Sequence, residues 1–269
     1  MDIKTTVALN NGTKIPALGL GTWQVSAKSC EKAALDALNA GYRHIDTAAA
    51  YENERGVGNA IKKSGISRKD IFITTKLWND DHGNPQKAFN ESLKKLQLDY
   101  VDLYLMHFPV PERNESWKIL ERIYKEGKAK AIGVSNFTIR HLKQLLEKAD
   151  IVPAVNQVEF HPYLYQKELL DFCNENKIKI EAYSPLTHGI KLKDPKLAEI
   201  ANKYKKSTAQ ILIRWGLQHN LIVIPKSTKK ERIIENCSVF DFSILEEDMK
   251  TLDSFNEGLR TCWDPTNAP

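Results

Sequence analysis

Four polar residues in the first half of the chain have the chemistry needed for proton transfer: Asp46, Tyr51, Lys76 and His107. A buried lysine needs a counter-charge, and Asp46 could supply it. Beside a tyrosine hydroxyl, the same lysine would stabilise the phenolate and lower the pKa of Tyr51, which would suit a general acid near neutral pH. His107 could donate a hydrogen bond to a substrate oxygen. Together the four residues predict a site of general acid catalysis.

Taken singly, each of these residues also has a purely structural interpretation. Asp46 could cap a helix, Lys76 could form an ion pair and nothing more, and His107 could be a hydrogen-bonded core histidine. No metal is expected, because the sequence has neither an HExxH nor a CxxC motif. Four widely spaced cysteines predict reduced thiols in a cytoplasmic protein: Cys30, Cys173, Cys237 and Cys262.

A second candidate site lies in segment 225–232, which has the sequence PKSTKKER. It combines hydroxyl groups, basic side chains and the predicted start of a helix, a set that suits a phosphate group. A basic loop that only faces solvent is the alternative interpretation.

Short apolar runs and amphipathic segments alternate along the chain and predict strands and helices. The eight predicted strands cover residues 17–21, 43–47, 71–76, 101–107, 131–135, 154–160, 178–184 and 221–225. The predicted helices cover residues 27–40, 55–63, 85–96, 115–126, 140–148, 167–176, 197–219 and 230–236. Within the seventh helical interval, Ser207 and Thr208 could start a second helix.

Eight strand–helix units predict an α/β fold, a (β/α)8 TIM barrel, whose functional residues lie where strands end. An open doubly wound sheet is the alternative, but the sequence has no GxGxxG fingerprint. A hairpin at Asn11 and Gly12 could close the bottom of the barrel, and an extra helix at 245–253 precedes a C-terminal tail. The 269 residues are therefore expected to form a single barrel domain, 1–269.

The formal charge of +5 comes from dispersed lysines and predicts no nucleic-acid partner. No apolar run is long enough to predict a membrane span. We expect a monomer that acts on a small molecule.

Motifs along nearly the whole chain resemble those of the aldo-keto reductases, in the same order. The matching segments are 19–23 (GLGTW), 44–48 (HIDTA) with Tyr51, 75–78 (TKLW), 103–107 (LYLMH), 133–137 (GVSNF), 156–163 (NQVEFHPY), 182–186 (AYSPL) and 224–227 (IPKS). The resemblance implies NADPH-dependent reduction of aldehydes, ketones or dicarbonyls to alcohols by hydride transfer. It also implies that Tyr51 donates the proton, that Lys76, held by Asp46, lowers the pKa of Tyr51, and that His107 orients and polarises the carbonyl.

The same resemblance implies a set of cofactor contacts. The nicotinamide carboxamide would bind Ser135, Asn136 and Gln157, and its ring would stack on Tyr183. The pyrophosphate and 2′-phosphate would bind Ser184, Leu186, Lys226, Ser227, Thr228, Arg232 and Asn236. Of these, Arg232 is expected to favour NADPH over NADH. Further cofactor contacts are expected at Gly21, Thr22, Trp23 and Asp46.

The substrate pocket is expected to have an apolar wall of Trp23, Trp78 and Phe108, with Tyr51 and His107 at its base. The loops after the fourth and seventh strands are short, as in the compact branch of the family that includes diketogluconate and methylglyoxal reductases. Short loops predict an open pocket with loose specificity. Two alternatives stay open: a barrel lyase or isomerase with Lys76 as Schiff base, and a barrel that binds NADPH without catalysis.

Overall fold

Eight parallel strands form one curled sheet in the computed structural model, which describes all residues from Met1 to Pro269. The strands follow one another in chain order around the sheet. Their bounds are β3 (Leu20–Gly21), β4 (His44–Asp46), β5 (Phe72–Leu77), β6 (Leu103–Met106), β7 (Ile132–Ser135), β8 (Val155–Glu159), β9 (Lys179–Tyr183) and β10 (Ile222–Val223). The predicted (β/α)8 barrel is confirmed.

The sheet closes where its first and last strands meet. The amide of Gly19 donates to the carbonyl of Val223 at 2.9 Å, and the amide of Val223 donates to the carbonyl of Ala17 at 2.9 Å. The first and eighth strands are shorter than predicted, because pairing across this seam consists of isolated bridges, at Leu18–Val223 and Gly21–Lys226.

Ten helices surround the sheet or follow it. They are α1 (Ala27–Asn39), α2 (Glu54–Ser64), α3 (Pro85–Leu96), α4 (Arg113–Lys125), α5 (Ile139–Leu146), α6 (Lys167–Glu175), α7 (Pro195–Tyr204), α8 (Thr208–Gln218), α9 (Lys230–Cys237) and α10 (Glu246–Asp253). The seventh helical interval, residues 197–219, contains two helices, which confirms the possible second start at Ser207 and Thr208. Lys205 adopts a left-handed φ of 54° that ends α7, and Ser207 begins α8 through a reciprocal capping box with Gln210.

The N-terminal hairpin pairs β1 (Thr6–Ala8) with β2 (Lys14–Pro16) in antiparallel register. Gly12 has a φ of 84°, which explains the glycine in the turn. The hairpin covers the bottom of the barrel, because the side chains of Asn10 and Asn11 donate to the carbonyls of Pro153 and Lys130, just before β8 and β7.

Apolar side chains between the sheet and its helices form a core that extends from Val7 to Leu252. Inside the barrel, by contrast, several ionisable side chains are fully buried, although branched apolar residues usually fill such barrels. This polar set comprises His44, Asp46, Lys76 and Glu181. No helix of the structure is both long enough and apolar enough to cross a membrane.

Candidate active site

Lys76 lies at the centre of the polar cluster at the carboxyl ends of the strands. Its strand, β5, pairs in parallel with β4, which ends in Asp46, so the two side chains meet inside the barrel. The Lys76 ammonium donates to Asp46 Oδ1 at 2.7 Å, to the carbonyl of Thr47 at 2.9 Å and to the Tyr51 hydroxyl at 3.3 Å. Burial lowers the pKa of Lys76, but the charges of Asp46 and Tyr51 outweigh that effect and raise it. Lys76 therefore stays charged.

Tyr51 ends a short 3₁₀ turn that follows β4. Burial raises its pKa to about 12, although the charge of Lys76 acts in the opposite direction. The prediction of a net lowered pKa is therefore wrong, because the loss of hydration outweighs the nearby ammonium. Tyr51 is a protonated donor at neutral pH, and Lys76 is placed to stabilise the phenolate that remains once the proton leaves.

His107 follows β6 and faces the Tyr51 ring edge-on, with 5.6 Å between the ring centroids. Neither of its ring nitrogens takes part in a hydrogen bond within the protein. Burial and the charge of Lys76 hold the pKa of His107 well below its ordinary value. The imidazole is therefore neutral and free to donate one hydrogen bond.

A cavity of about 400 Å³ opens onto Tyr51 and His107. Its lining includes the three predicted wall residues Trp23, Trp78 and Phe108. Sequence reasoning missed five others: Ala49, Ala50, Glu52, Asp81 and Lys95. The first three adjoin Tyr51 in the chain and could have been expected, whereas Lys95 lies on α3 and carries no local signal.

The C-terminal tail completes the aromatic wall. Trp263 packs edge-on against Phe108 with 5.1 Å between centroids, as expected for a tail that covers the pocket. Glu159, at the end of β8, holds the tail by accepting from the backbone amides of Thr261 at 2.7 Å and Cys262 at 3.2 Å. Nothing in the sequence assigns this anchoring role to Glu159, because its partners lie more than 100 residues away.

The predicted nicotinamide contacts form one hydrogen-bonded network beside the tetrad of Asp46, Tyr51, Lys76 and His107. The Tyr183 hydroxyl donates to Asn136 Oδ1 at 2.8 Å, and Asn136 Nδ2 donates to Ser135 Oγ at 3.2 Å. Ser135 in turn donates to the carbonyl of Gln157, whose side-chain amide donates to Asp46 Oδ2 at 2.8 Å. The residues expected to bind a carboxamide are thus connected by hydrogen bonds to Asp46.

Two further predicted cofactor contacts, Gly21 and Thr22, lie at the end of β3. Thr22 is buried and donates from its hydroxyl to the carbonyl of Asp46 at 2.8 Å. A Cβ added at Gly21 would lie 2.9 Å from the carbonyl oxygen of Ile224, so only glycine fits there.

The predicted phosphate contacts lie along the loop after β10 and the first turns of α9. Lys226, Thr228 and Arg232 are exposed, whereas Ser227 and Asn236 are buried. Neither Lys226 nor Arg232 forms an ion pair with the protein. Unpaired cations near the start of a helix suit the binding of a 2′-phosphate.

Ser184 and Leu186 follow β9 and complete the predicted set. Ser184 has a left-handed φ of 48°, and its hydroxyl contacts His188 Nε2 at 2.9 Å and Cys262 Sγ at 3.3 Å. The segment after β9, which carries these predicted cofactor contacts, thus contacts the C-terminal tail.

A larger cleft, of about 670 Å³, lies beside the site. It is lined by Asn136 and Glu159 together with Arg140 of α5 and Arg260 of the tail. No tetrad side chain contributes to it, so the smaller cavity is the one in which a substrate can meet Tyr51.

The fold is a parallel barrel with an Asp–Tyr–Lys–His cluster at the carboxyl ends of its strands, an arrangement suited to giving a proton to a bound small molecule. Residues 17–257 match the model of the aldo/keto reductase family. The chain is 50% identical to glyoxal reductase of Bacillus subtilis, covering 96% of this chain and 95% of the relative. It is 47% identical to methylglyoxal reductase DkgA of Escherichia coli K12, covering 97% of each.

Solved structures agree with these relatives. An aldo-keto reductase from a Medee basin deep-sea metagenome library superposes with a TM-score of 0.94 at 47% identity, covering 98% of this chain and 100% of the other. A Bombyx mori aldo-keto reductase in complex with NADP superposes with a TM-score of 0.94 at 37% identity, covering 100% of this chain and 99% of the other.

This chain belongs to the aldo/keto reductase family. It is an NADP-dependent oxidoreductase that reduces carbonyl groups.

Proposed function

We propose that this enzyme reduces small dicarbonyl compounds, such as glyoxal and methylglyoxal, with Tyr51 as the proton donor. The observation that carries the proposal is the position of the Lys76 ammonium, 2.7 Å from Asp46 and 3.3 Å from the Tyr51 hydroxyl, beneath an aromatic cavity. These contacts keep the lysine charged at the atom where a phenolate must form.

Each of the four residues has its own role in the proposed reduction. NADPH, when bound, supplies the hydride for the carbonyl carbon. Tyr51 gives its proton to the carbonyl oxygen, and Lys76 stabilises the resulting phenolate until solvent returns a proton. His107, as a neutral imidazole, donates a hydrogen bond that orients and polarises the same oxygen. Asp46 holds Lys76 in place and balances its charge.

The cofactor would be held at both of its ends. Ser135, Asn136 and Gln157 have the amide and hydroxyl groups that a carboxamide requires, and Tyr183 offers a ring for stacking. At the other end, Lys226 and Arg232 would pair with phosphate.

The substrate class is inferred from the cavity and from the relatives. A volume of about 400 Å³ walled by Trp23, Trp78 and Phe108 suits small carbonyl compounds. The relatives named above reduce glyoxal or methylglyoxal according to their names. The pocket is also open, which favours activity on several carbonyl compounds.

A carbonyl panel with each cofactor tests this proposal. We expect NADPH to be consumed with glyoxal, methylglyoxal and simple aldehydes, with kcat/KM values that lie within about a thousandfold of one another. Loss of NADPH absorbance is the measurement, and the same panel with NADH is the control. Turnover of one unrelated ketone alone, with no turnover of any dicarbonyl, would contradict the substrate class.

We also propose that the chain is one barrel domain, 1–269, that works as a monomer in the cytoplasm. All four cysteines are unpaired, as reduced thiols would be. Only seven large apolar side chains are exposed, and two of them, Trp23 and Trp263, lie at the candidate site, which favours a monomer.

A further inference from the structure

Glu181 is a second buried carboxyl group beneath the tetrad, and the mechanism above does not use it. It lies in the middle of β9, in register with Gln157 of β8 and Ile222 of β10, and its side chain is fully buried. Neither of its carboxyl oxygens has a hydrogen-bond partner. His44 of β4 lies close to it, with Nε2 3.6 Å from Glu181 Oε1.

The ionisable groups that face Glu181 leave it without a counter-charge. From β4 these are His44 and Asp46, and from β5 the only one is Lys76. Asp46 already binds the ammonium of Lys76 at 2.7 Å and the amide of Gln157 at 2.8 Å. One cation therefore serves two carboxyl groups, and it contacts only one of them.

His44 does not supply the missing charge. Burial and the charge of Lys76 lower the pKa of His44 to about 3, so the imidazole is neutral. Its other nitrogen, Nδ1, has no partner, and a Cβ added at Gly19 would lie 2.5 Å from it. The ring is thus enclosed, and its Nε2 is already paired with the Thr74 hydroxyl at 3.1 Å, so it does not rotate to pair with Glu181.

An ionised carboxylate without donors in a closed barrel is very unfavourable, and two carboxyl groups that share one cation do not both ionise readily. The uncharged member must be Glu181, because Asp46 has both charged and amide donors. Burial, followed by the charge of Asp46, raises the pKa of Glu181 to about 8, and the charge of Lys76 and the amide of Gln157, which is already engaged with Asp46, oppose the rise only in part.

We propose that Glu181 is a positioning residue that must stay protonated during carbonyl reduction, and that its ionisation in alkaline solution slows the proposed reaction through Lys76. Once ionised, Glu181 would place a second negative charge opposite Lys76. The ammonium would then stabilise a Tyr51 phenolate less well, and Tyr51 would donate its proton less readily. This inference rests on the roles proposed for Tyr51 and Lys76.

The pH dependence of kcat/KM with methylglyoxal and NADPH tests the inference. We expect the wild-type enzyme to fall by about threefold to tenfold to a lower plateau above about pH 8, as a shift of about half to one unit in the Tyr51 pKa would produce. The Glu181→Gln variant, which is neutral at every pH, should keep its neutral-pH activity and lack this step. Tyr51, with a pKa of about 12, does not titrate there.

Glu54→Gln is the matched control. Glu54 is also a buried carboxyl group, but it accepts from the Thr75 hydroxyl at 2.6 Å and does not touch the tetrad. Its variant should keep the wild-type step. An unchanged step in Glu181→Gln would overturn the inference, as would a neutral-pH activity more than tenfold below wild type in a variant that still binds NADPH.

A second readout does not depend on catalysis. A carboxyl group with a raised pKa in the folded state is protonated there and ionised in the unfolded state, so the wild type loses stability as pH rises from about 4.5 to 8. Glu181→Gln removes this loss, and the difference in Tm between variant and wild type should grow over the same pH range. A constant difference would contradict a protonated Glu181.

If Glu181→Gln does not fold, infrared spectra of the wild-type enzyme test whether Glu181 is protonated. A protonated carboxyl band at neutral pH that disappears above about pH 9 supports the inference, and its absence at neutral pH overturns it. Both physical readouts remain valid even if the proposed dicarbonyl activity is not found.

Discussion

At the scale of single residues, the site depends on one buried cation shared among oxygen atoms. The Lys76 ammonium contacts Asp46, the Thr47 carbonyl and Tyr51 within 3.3 Å, and its side chain is fully buried. Electrostatic effects are large where hydration is absent. Small changes in this group of charges should therefore alter catalysis more than they alter the fold.

Replacing Asp46 with asparagine tests how much Lys76 depends on its ion pair. Without the carboxylate, burial would lower the pKa of Lys76 with less opposition, so the ammonium would lose its proton at a lower pH. We expect Asp46→Asn to reduce kcat by about tenfold to a hundredfold and to shift to lower pH the loss of activity that accompanies deprotonation of Lys76, which is separate from the step proposed for Glu181. Steady-state kinetics as a function of pH is the measurement.

The matched control for this variant is Asp81→Asn. Asp81 lines the same cavity but makes no contact with Lys76, so its pH profile should match that of the wild type. A wild-type kcat and an unshifted profile in Asp46→Asn would show that Lys76 does not need its partner.

The proximity of Asp46, Tyr51, Lys76 and His107 was predictable from their types and from their positions at strand ends. The net direction of the Tyr51 pKa was not, because it depends on how completely the site is buried. A tail residue contributes as well: the charge of Cys262, which lies more than 200 positions along the chain from Tyr51, raises the same pKa further. A short-range pattern carries no information about such packing.

At the scale of elements, each strand–helix unit delivers one part of the site. β4 and β5 deliver the ion pair, β6 delivers His107, and the loop from β10 into α9 presents the basic groups proposed to hold phosphate. Adjacent parallel strands end at the same edge, so residues far apart in sequence meet without long connecting loops. The role of the tail was less predictable, since Glu159 meets it through contacts that no repeating pattern marks.

The start of α9 provides a test of cofactor choice. Arg232→Ala removes an unpaired guanidinium that we expect to bind the 2′-phosphate of NADPH. The Kd of this variant for NADPH should rise by about tenfold to a hundredfold, while its Kd for NADH stays within about twofold of the wild-type value. Fluorescence titration with both cofactors is the measurement.

Lys230→Ala is the control on the same helix, because Lys230 is exposed and also unpaired but is not among the expected contacts. It should change neither Kd by more than about twofold. Equal losses for NADPH and NADH in Arg232→Ala would remove this residue from the 2′-phosphate site.

At the scale of the whole molecule, the barrel places the hairpin contacts that stabilise it and the polar residues of the candidate site at opposite ends. The hairpin closes one end through Asn10 and Asn11, while the carboxyl ends of the strands at the other end gather the polar residues. The number and order of strands were predictable because each apolar run is short and separated by a helical pattern. The closing seam was predicted less well, because strand bounds at Leu18 and Val223 depend on pairing between the two ends of the sheet.

This separation makes a single-atom change informative. Tyr51→Phe removes only the hydroxyl, and the fold and the proposed cofactor contacts do not depend on that group. The account predicts that kcat for methylglyoxal reduction falls by about a hundredfold to ten-thousandfold while the Kd for NADPH stays within about threefold of wild type. Full activity in Tyr51→Phe, with NADPH bound as in the wild type, would contradict Tyr51 as the proton donor.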